Sequence, residues 1–248
     1  MKELFRADVC TIYEEEKGLY IIQEETVRNF VIVGTERAAL IDTGSGTEEM
    51  RQIVEKITDK PVVVLITHVD GDHIHCLGQF EEAWMSPSEY ARFHNDTGTN
   101  PNLHPIWDGD IFDLGGVKLE AVMNPGHTSG CCTFLDRANR RLIGGDSIQR
   151  GGMLYMFGAD RDLLAAIHSM ERIRDKYMNA FDLVYPAHSE CPIPAAVVPE
   201  LLEGLKRMIN GEVPGVDDEI WGVPIRVFDI GIDKVLYERK REFFELKQ

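Results

Sequence analysis

The sequence predicts an α/β protein built from two packed sheets flanked by helices. Three observations lead there. Short β-like runs broken by glycine turns fill the first third of the chain. A set of strands followed by a helix occurs twice. Four short apolar runs each end at a residue able to bind a metal, beside Gly, Pro or Ala. Strand ends of that kind converge on one edge of a sheet assembly, where loops on a rigid scaffold carry function.

The elements follow in order. Residues 9–13, 19–23, 27–33 and 38–41 read as a strand meander, punctuated by Lys17-Gly18 and Gly34-Thr35. Asp42-Thr43-Gly44-Ser45-Gly46 ends it. Thr47 is placed to cap a helix over residues 48–57, with Ile53, Val54 and Ile57 on one face. Residues 62–66 read as a buried strand. Pro87-Ser88-Glu89 opens a short helix through Phe93. Residues 94–110 read as a long irregular segment, which is usually functional or disordered. Strands resume at residues 117–123, 133–135 and 141–143. Residues 163–177 carry Leu164, Ile167, Met170 and Ile173 at helical spacing, and His168 on that helix needs no role. Residues 195–209 form a second helix, and residues 225–228 and 235–237 close a hairpin about Gly231. The chain has no repeat or linker and is long enough to bury a full core; length allows one large domain or two small ones, and a single domain over residues 1–248 is expected.

A content of 44% hydrophobic and 27% charged residues is that of a soluble globular protein. The 26 Lys and Arg against 42 Asp and Glu leave a formal charge of −16, which disfavours a nucleic-acid backbone or an anionic membrane as partner. A small molecule is the expected partner, and a homo-oligomer is compatible with the sequence. Five cysteines, an odd number with Cys131 and Cys132 adjacent, make no regular disulfide framework; a reducing cytoplasm is expected. The first residues lack the apolar core of a signal peptide, and no run approaches the ~20 apolar residues of a membrane span.

The chemistry concentrates in Leu65-Ile66-Thr67-His68-Val69-Asp70-Gly71-Asp72-His73. Imidazoles and carboxylates are the usual ligands of zinc, iron and manganese. Gly71 supplies the backbone freedom for a sharp turn among them. Pro125-Gly126-His127-Thr128, Gly144-Gly145-Asp146 and Tyr185-Pro186-Ala187-His188 repeat the arrangement. His68, Asp70, Asp72, His73, His127, Asp146 and His188 are too many ligands for one four-coordinate ion and suit two ions sharing a bridge.

These residues resemble the metallo-β-lactamase superfamily, whose signature is His-x-His-x-Asp-His followed by a distant His, Asp and His. Here it stands as His68-x-Asp70-x-Asp72-His73, then His127, Asp146 and His188. Asp42-Thr43-Gly44, Pro125-Gly126-His127-Thr128 and Asp110 with Gly115-Gly116 also look like that family. The resemblance implies an αββα sandwich of two mixed sheets and, more narrowly, a glyoxalase II-like hydrolase. It implies that one ion takes His68, Asp70 and His127, the other takes Asp72, His73 and His188, and Asp146 bridges both. Asp42 would hold the ligand turn by hydrogen bonds.

Two departures stand out. Asp70 replaces the second His, so two divalent ions and one hydroxide sum to a local charge of about zero rather than about +1. A weaker Lewis acid is expected there, with manganese or iron plausible beside the default zinc. His75 stands where the family commonly has Gly. The expected reaction is attack of a metal-bridging hydroxide on a small ester, thioester, lactone or phosphoester, with Asp72 or His75 passing a proton to the leaving group. Residues 151–157, with Tyr155 and Phe157, are expected to wall a substrate pocket. His94, His104, Pro105 and Trp107 are expected opposite. Asp70 also resembles the Glu of the flavodiiron proteins, so a di-iron redox protein is the alternative, although too little chain is expected after His188 for a flavin domain. A metal-binding scaffold without catalysis is the third reading.

Overall fold

The computed structural model describes residues 1–7, 9–46, 49–96 and 101–238. The chain divides into two compact units: Met1–Met123 with Cys132–Asn139, and Asn124–Cys131 with the chain from Arg140 onward.

In the first unit β1 (Lys2–Ala7), β2 (Cys10–Glu16), β3 (Leu19–Gln23), β4 (Arg28–Val33), β5 (Ala38–Ile41), β6 (Val62–Leu65), β7 (Glu82–Met85) and β8 (Asn102–Pro105) form one sheet in sequence order. Pairing is antiparallel as far as β5 and parallel from β5 to β8. The connections explain the switch. Tight turns join the first five strands, whereas α1 (Met50–Ile57) crosses from β5 to β6. The short helix α2 (Gly71–Ile74) follows β6 and α3 (Tyr90–Asp96) follows β7. A separate antiparallel set is β9 (Ile111–Asp113), β10 (Lys118–Met123) and β11 (Cys132–Asp136). Met50, Ile53 and Val54 of α1 are buried in one cluster with Leu40, Val64 and Ile66. Each such side chain contributes about 1.5–3 kcal/mol of burial free energy.

The second unit contains β12 (Arg141–Gly145), β13 (Met153–Met156), α4 (Leu163–Tyr177), β14 (Leu183–Pro186), β15 (Ile193–Pro194), α5 (Val197–Ile209), β16 (Gly215–Ile220), β17 (Val223–Asp229) and β18 (Lys234–Glu238). β12 and β14 pair in parallel, and β15 adds antiparallel to β14. A four-stranded sheet runs β13-β18-β17-β16. Asp162 caps α4 by accepting from Ala165 N at 2.9 Å; the buried face carries Ile167, Met170 and Ile173 as the spacing predicts, but Leu163 and not the expected Leu164, which is exposed. No helix among the described residues is long and apolar enough to cross a membrane.

Several expectations need correction. Residues 94–110 are not irregular throughout, because β8 pairs there with β7 through its main chain. Residues 151–157, read as an apolar loop in the sequence, contain a strand, since β13 (Met153–Met156) pairs with β18. The closing hairpin gains a third strand, β16, whose exposed, acidic pattern gives no apolar signal. The ligand turn is helical at Gly71–Ile74. Thr47, expected to cap α1, lies outside the described residues, as does the side chain of His94.

Trp221 and Gly222 close the β16–β17 hairpin with φ of 51° and 77°. Two positive φ values in a two-residue turn favour Asn, Asp or Gly. A left-handed backbone costs an ordinary side chain about 1–2 kcal/mol. The Trp221 ring stacks on Tyr155 at 5.7 Å and 7°. Such a pair returns about 0.5–1.5 kcal/mol. Strain and stacking nearly cancel, and Trp221 remains 80% exposed.

Asp233 is buried, and its Oδ1 accepts from Gly152 N at 2.9 Å and Lys234 N at 3.0 Å. Burial pushes its carboxyl up to about 6. The unfolded chain titrates near 3.9. Between those values the folded state holds a proton that the unfolded state lacks, so stability falls as pH rises from 4 to 6. The charged form then costs about 2–3 kcal/mol at neutral pH. Asp233→Asn keeps an acceptor oxygen without the charge. It is expected to raise the melting temperature at pH 7–8, with the gain vanishing near pH 4; thermal melts across that range read it.

Candidate metal centre

In the first unit the candidate ligands are delivered by two parallel strands. Ile41 of β5 is level with Leu65 of β6, and Asp42 N donates to Leu65 O at 2.9 Å. Asp42 therefore sits beside Thr67 and His68 as the chain leaves β6. Its φ of 63° turns its carboxylate back onto them. Oδ1 accepts from Thr67 N, and Oδ2 accepts from Thr67 Oγ1 and His73 Nδ1, all at 2.8 Å. Thr67 Oγ1 spends its proton on Asp42, so at 3.0 Å it accepts from His68 Nδ1. One carboxylate thus sets the tautomer of two buried imidazoles and leaves both Nε2 atoms with lone pairs for a metal. Thr43 N donates to His73 O at 2.7 Å, which fastens α2 to the Asp42 turn.

The carboxylates stand against those nitrogens. Asp70 Oδ2 is 3.5 Å from His68 Nε2, and Asp72 Oδ2 is 3.7 Å from His73 Nε2. Asp70 Oδ1 accepts from Arg92 Nη1 at 2.6 Å, so Asp70 turns one oxygen to a guanidinium and the other toward the imidazole. The buried Glu89 accepts from Val69 N at 3.1 Å and holds the chain between His68 and Asp70. Neither Arg92 nor Glu89 was expected. Glu89 and Arg92 lie 20 and 22 positions from Val69 and Asp70 in sequence, too far for local spacing to signal the contact.

The second unit repeats the device. Ile143 of β12 is level with Tyr185 of β14, and Ala187 N donates to Gly145 O at 3.1 Å. Asp146 and His188 therefore leave neighbouring parallel strands at the same end, with His188 Nε2 3.3 Å from Asp146 Oδ1. His127 Nε2 is 3.5 Å from Asp146 Oδ2. The His127 ring donates Nδ1–H to Tyr155 O at 3.0 Å, which again leaves the ring lone pair on Nε2.

Gly126 places the His127 loop. Its φ is 149°, and a Cβ there would lie 2.4 Å from Ala166 Cα on α4. Gly126→Ala is expected to cost about 2–4 kcal/mol through overpacking against backbone and to displace His127. A chemical denaturation curve measures the first effect and metal affinity the second.

The donor set fits divalent ions. Two ligand atoms each ~2.1 Å from a tetrahedral ion stand about 3.4 Å apart. The four pairs above stand at 3.3–3.7 Å. Of the other expected residues, His75 is exposed at the end of α2, where its N–H donates to Gly44 O at 3.1 Å. His104 stacks on Trp84 at 4.5 Å, with Nε2 3.7 Å from Glu82. Trp107 is exposed and Pro105 ends β8. Tyr155 and Phe157 lie 5.8 Å apart. Cys76, close to the motif, is no thiolate at neutral pH, since burial, helped by the charge of Glu24, pushes its thiol up to about 11.

A model of the metallo-beta-lactamase superfamily matches residues 24–184. The chain belongs to the metallo-β-lactamase superfamily. Among curated superfamily relatives, a hydroxyacylglutathione hydrolase of Xylella fastidiosa is 28% identical over 135 residues, 54% of this chain and 50% of that protein. The lactamase-like protein aptB of Emericella nidulans is 27% identical over 187 residues, 73% of this chain and 55% of that protein. The chain spans about half the length of these two relatives. A solved metallo-beta-lactamase from Pontibacter korlensis superposes with a TM-score of 0.65 at 20% identity, covering 83% of this chain and 98% of that one. The fold is therefore the metallo-β-lactamase α/β sandwich expected from the motif. Membership of this superfamily implies divalent metal binding, and the His and Asp clusters are its candidate ligands.

Proposed function

We propose that the ligand sets of the two units face one pair of divalent ions, that the units act as one domain, and that the protein hydrolyses small esters or thioesters. His68, Asp70 and His127 would hold one ion, Asp72, His73 and His188 the other, and Asp146 both. The observation that carries this reading is Asp146 itself. It offers Oδ2 to the His127 side and Oδ1 to the His188 side, one oxygen each, as a bridging carboxylate does. Bound ions would supply a nucleophile at neutral pH and polarise the substrate oxygen.

The chain's own groups do the rest. Asp42 and Thr67 orient His68 and His73, and Tyr155 O orients His127. Asp72, half-buried and turned toward His73, is the group proposed to carry a proton to the leaving atom, with exposed His75 as the alternate donor. Arg92 returns the positive charge that Asp70 removes, which offsets the weaker Lewis acidity expected from the sequence. Zinc, manganese and iron all suit the set. The net charge of −16 and the apolar Tyr155 and Phe157 favour a neutral, partly apolar substrate over a polyanion.

The test is a panel of esters, thioesters, lactones and phosphoesters with each metal supplied in turn. Turnover of an ester or thioester that a chelator abolishes supports the proposal; no turnover with any metal contradicts it. Asp70 also supports the di-iron redox reading, which a visible band changing with oxidation state would favour.

A further inference from the structure

Trp221, Tyr155 and Phe157 form an aromatic group within the second unit that the expected metal chemistry does not use. Trp221 lies parallel to Tyr155 at 5.7 Å and stands 6.0 Å from Phe157. Tyr155 and Phe157 alternate with the buried Leu154 and Met156, so their rings leave β13 on the face turned from the core. Met153, two residues before Tyr155 on that face, is also exposed. The same strand meets a ligand imidazole, because the Tyr155 carbonyl takes the Nδ1–H of His127 at 3.0 Å.

Folding gives little reason for a Trp at this turn. The left-handed backbone is suited to Asn or Gly, stacking does little more than offset the strain, and most of the ring stays in water. Trp221 packs on the strand whose carbonyl orients His127, and a left-handed backbone kept at such an exposed aromatic is the kind of outlier from which a ligand clamp is inferred. We propose that Trp221, Tyr155 and Phe157 form a subsite that grips a flat apolar group of the substrate, an aryl group foremost, and that Trp221 sets the preference for aryl over small aliphatic substrates. Aromatic faces bind flat apolar groups by offset stacking, and the ring already held by Tyr155 loses little freedom on binding. The inference rests on the proposed hydrolase reading for its substrate class only.

The experiment compares the metal-loaded protein with Trp221→Asn and Trp221→Phe. For a naphthyl ester, Trp221→Asn is expected to raise KM about tenfold with kcat nearly unchanged, while a methyl ester of the same acid keeps its kcat/KM. Trp221→Phe is expected to retain most of the aryl preference. The melting temperature of Trp221→Asn is expected to hold or rise, because the turn loses its strain. Binding of 2-naphthoate, followed by calorimetry, gives a readout without turnover and is expected to weaken about tenfold in Trp221→Asn. Equal effects on both esters, unchanged naphthoate binding, no naphthoate binding to the unmodified protein, or a lowered melting temperature with the preference intact would overturn the proposal. Trp221-dependent naphthoate binding without hydrolysis of any ester would leave the subsite standing and remove the hydrolase reading.

Discussion

Asp146→Ala is expected to lower hydrolysis by at least about a thousandfold, roughly 4 kcal/mol of transition-state stabilisation, and to strip metal from the protein. Asp146 follows β12 directly, is buried, and turns a different oxygen to each of two imidazoles. Alanine removes both oxygens at once. No other side chain at the end of β12 can replace them, since Gly145 precedes and Ser147 lacks a charge. The β12–β14 ladder does not use the carboxylate, so circular dichroism should be unchanged. Asp146→Asn separates charge from shape: it should keep the fold and bind metal more weakly than the unmodified protein. Elemental analysis and steady-state kinetics on the same samples decide. An alanine variant with full metal and full activity would show that Asp146 holds nothing.

Asp42→Ala is expected to cost at least about 4 kcal/mol of stability and to weaken metal binding about 10–100-fold. The first effect comes from three buried donors, Thr67 N, Thr67 Oγ1 and His73 Nδ1, that all point at this carboxylate. Each donor left without its acceptor costs about 1–3 kcal/mol, and alanine adds the strain of a left-handed backbone. The second effect comes from the tautomers. Without Asp42 the Thr67 hydroxyl can turn its proton toward His68 Nδ1, and His73 Nδ1 loses its carboxylate acceptor, so each ring can turn a proton toward the metal side. Asp42→Asn pulls the two effects apart. An amide tolerates φ of 63° and still accepts from Thr67 N, and its NH2 can donate to Thr67 Oγ1 and to a His73 ring whose proton has moved to Nε2, so melting should fall less than in the alanine variant. Its NH2 group cannot accept from His73, so metal affinity should fall as in the alanine variant. Chelator competition against thermal melts reads both quantities. Unaltered affinity in Asp42→Asn would remove Asp42 from the centre.

The candidate ligands were legible because their signal is local. His68, Asp70, Asp72 and His73 fall within six residues at the end of an apolar run, and His127, Asp146 and His188 each follow a strand closely. Parallel pairing of β5 with β6 and of β12 with β14 then brings strand ends level. What escaped depends on contacts distant in sequence. Arg92 reaches Asp70 across 22 positions from a helix with no marking feature. β8 and β13 are four-residue strands whose identity comes from β7 and β18, not from their own composition. Trp221 occupies a tight turn where Asn-Gly would have announced a hairpin, so β16 and the place of Trp221 beside Tyr155 and Phe157 went unseen.

The most direct test of the paired-ion centre is metal stoichiometry. The protein is dialysed against zinc, manganese or ferrous iron, freed of loose metal and measured by elemental analysis beside its His127→Ala and Asp72→Ala variants. Close to two ions per chain are expected, falling to about one or fewer in each variant. No bound metal above background, or a content that neither variant changes, would contradict the account.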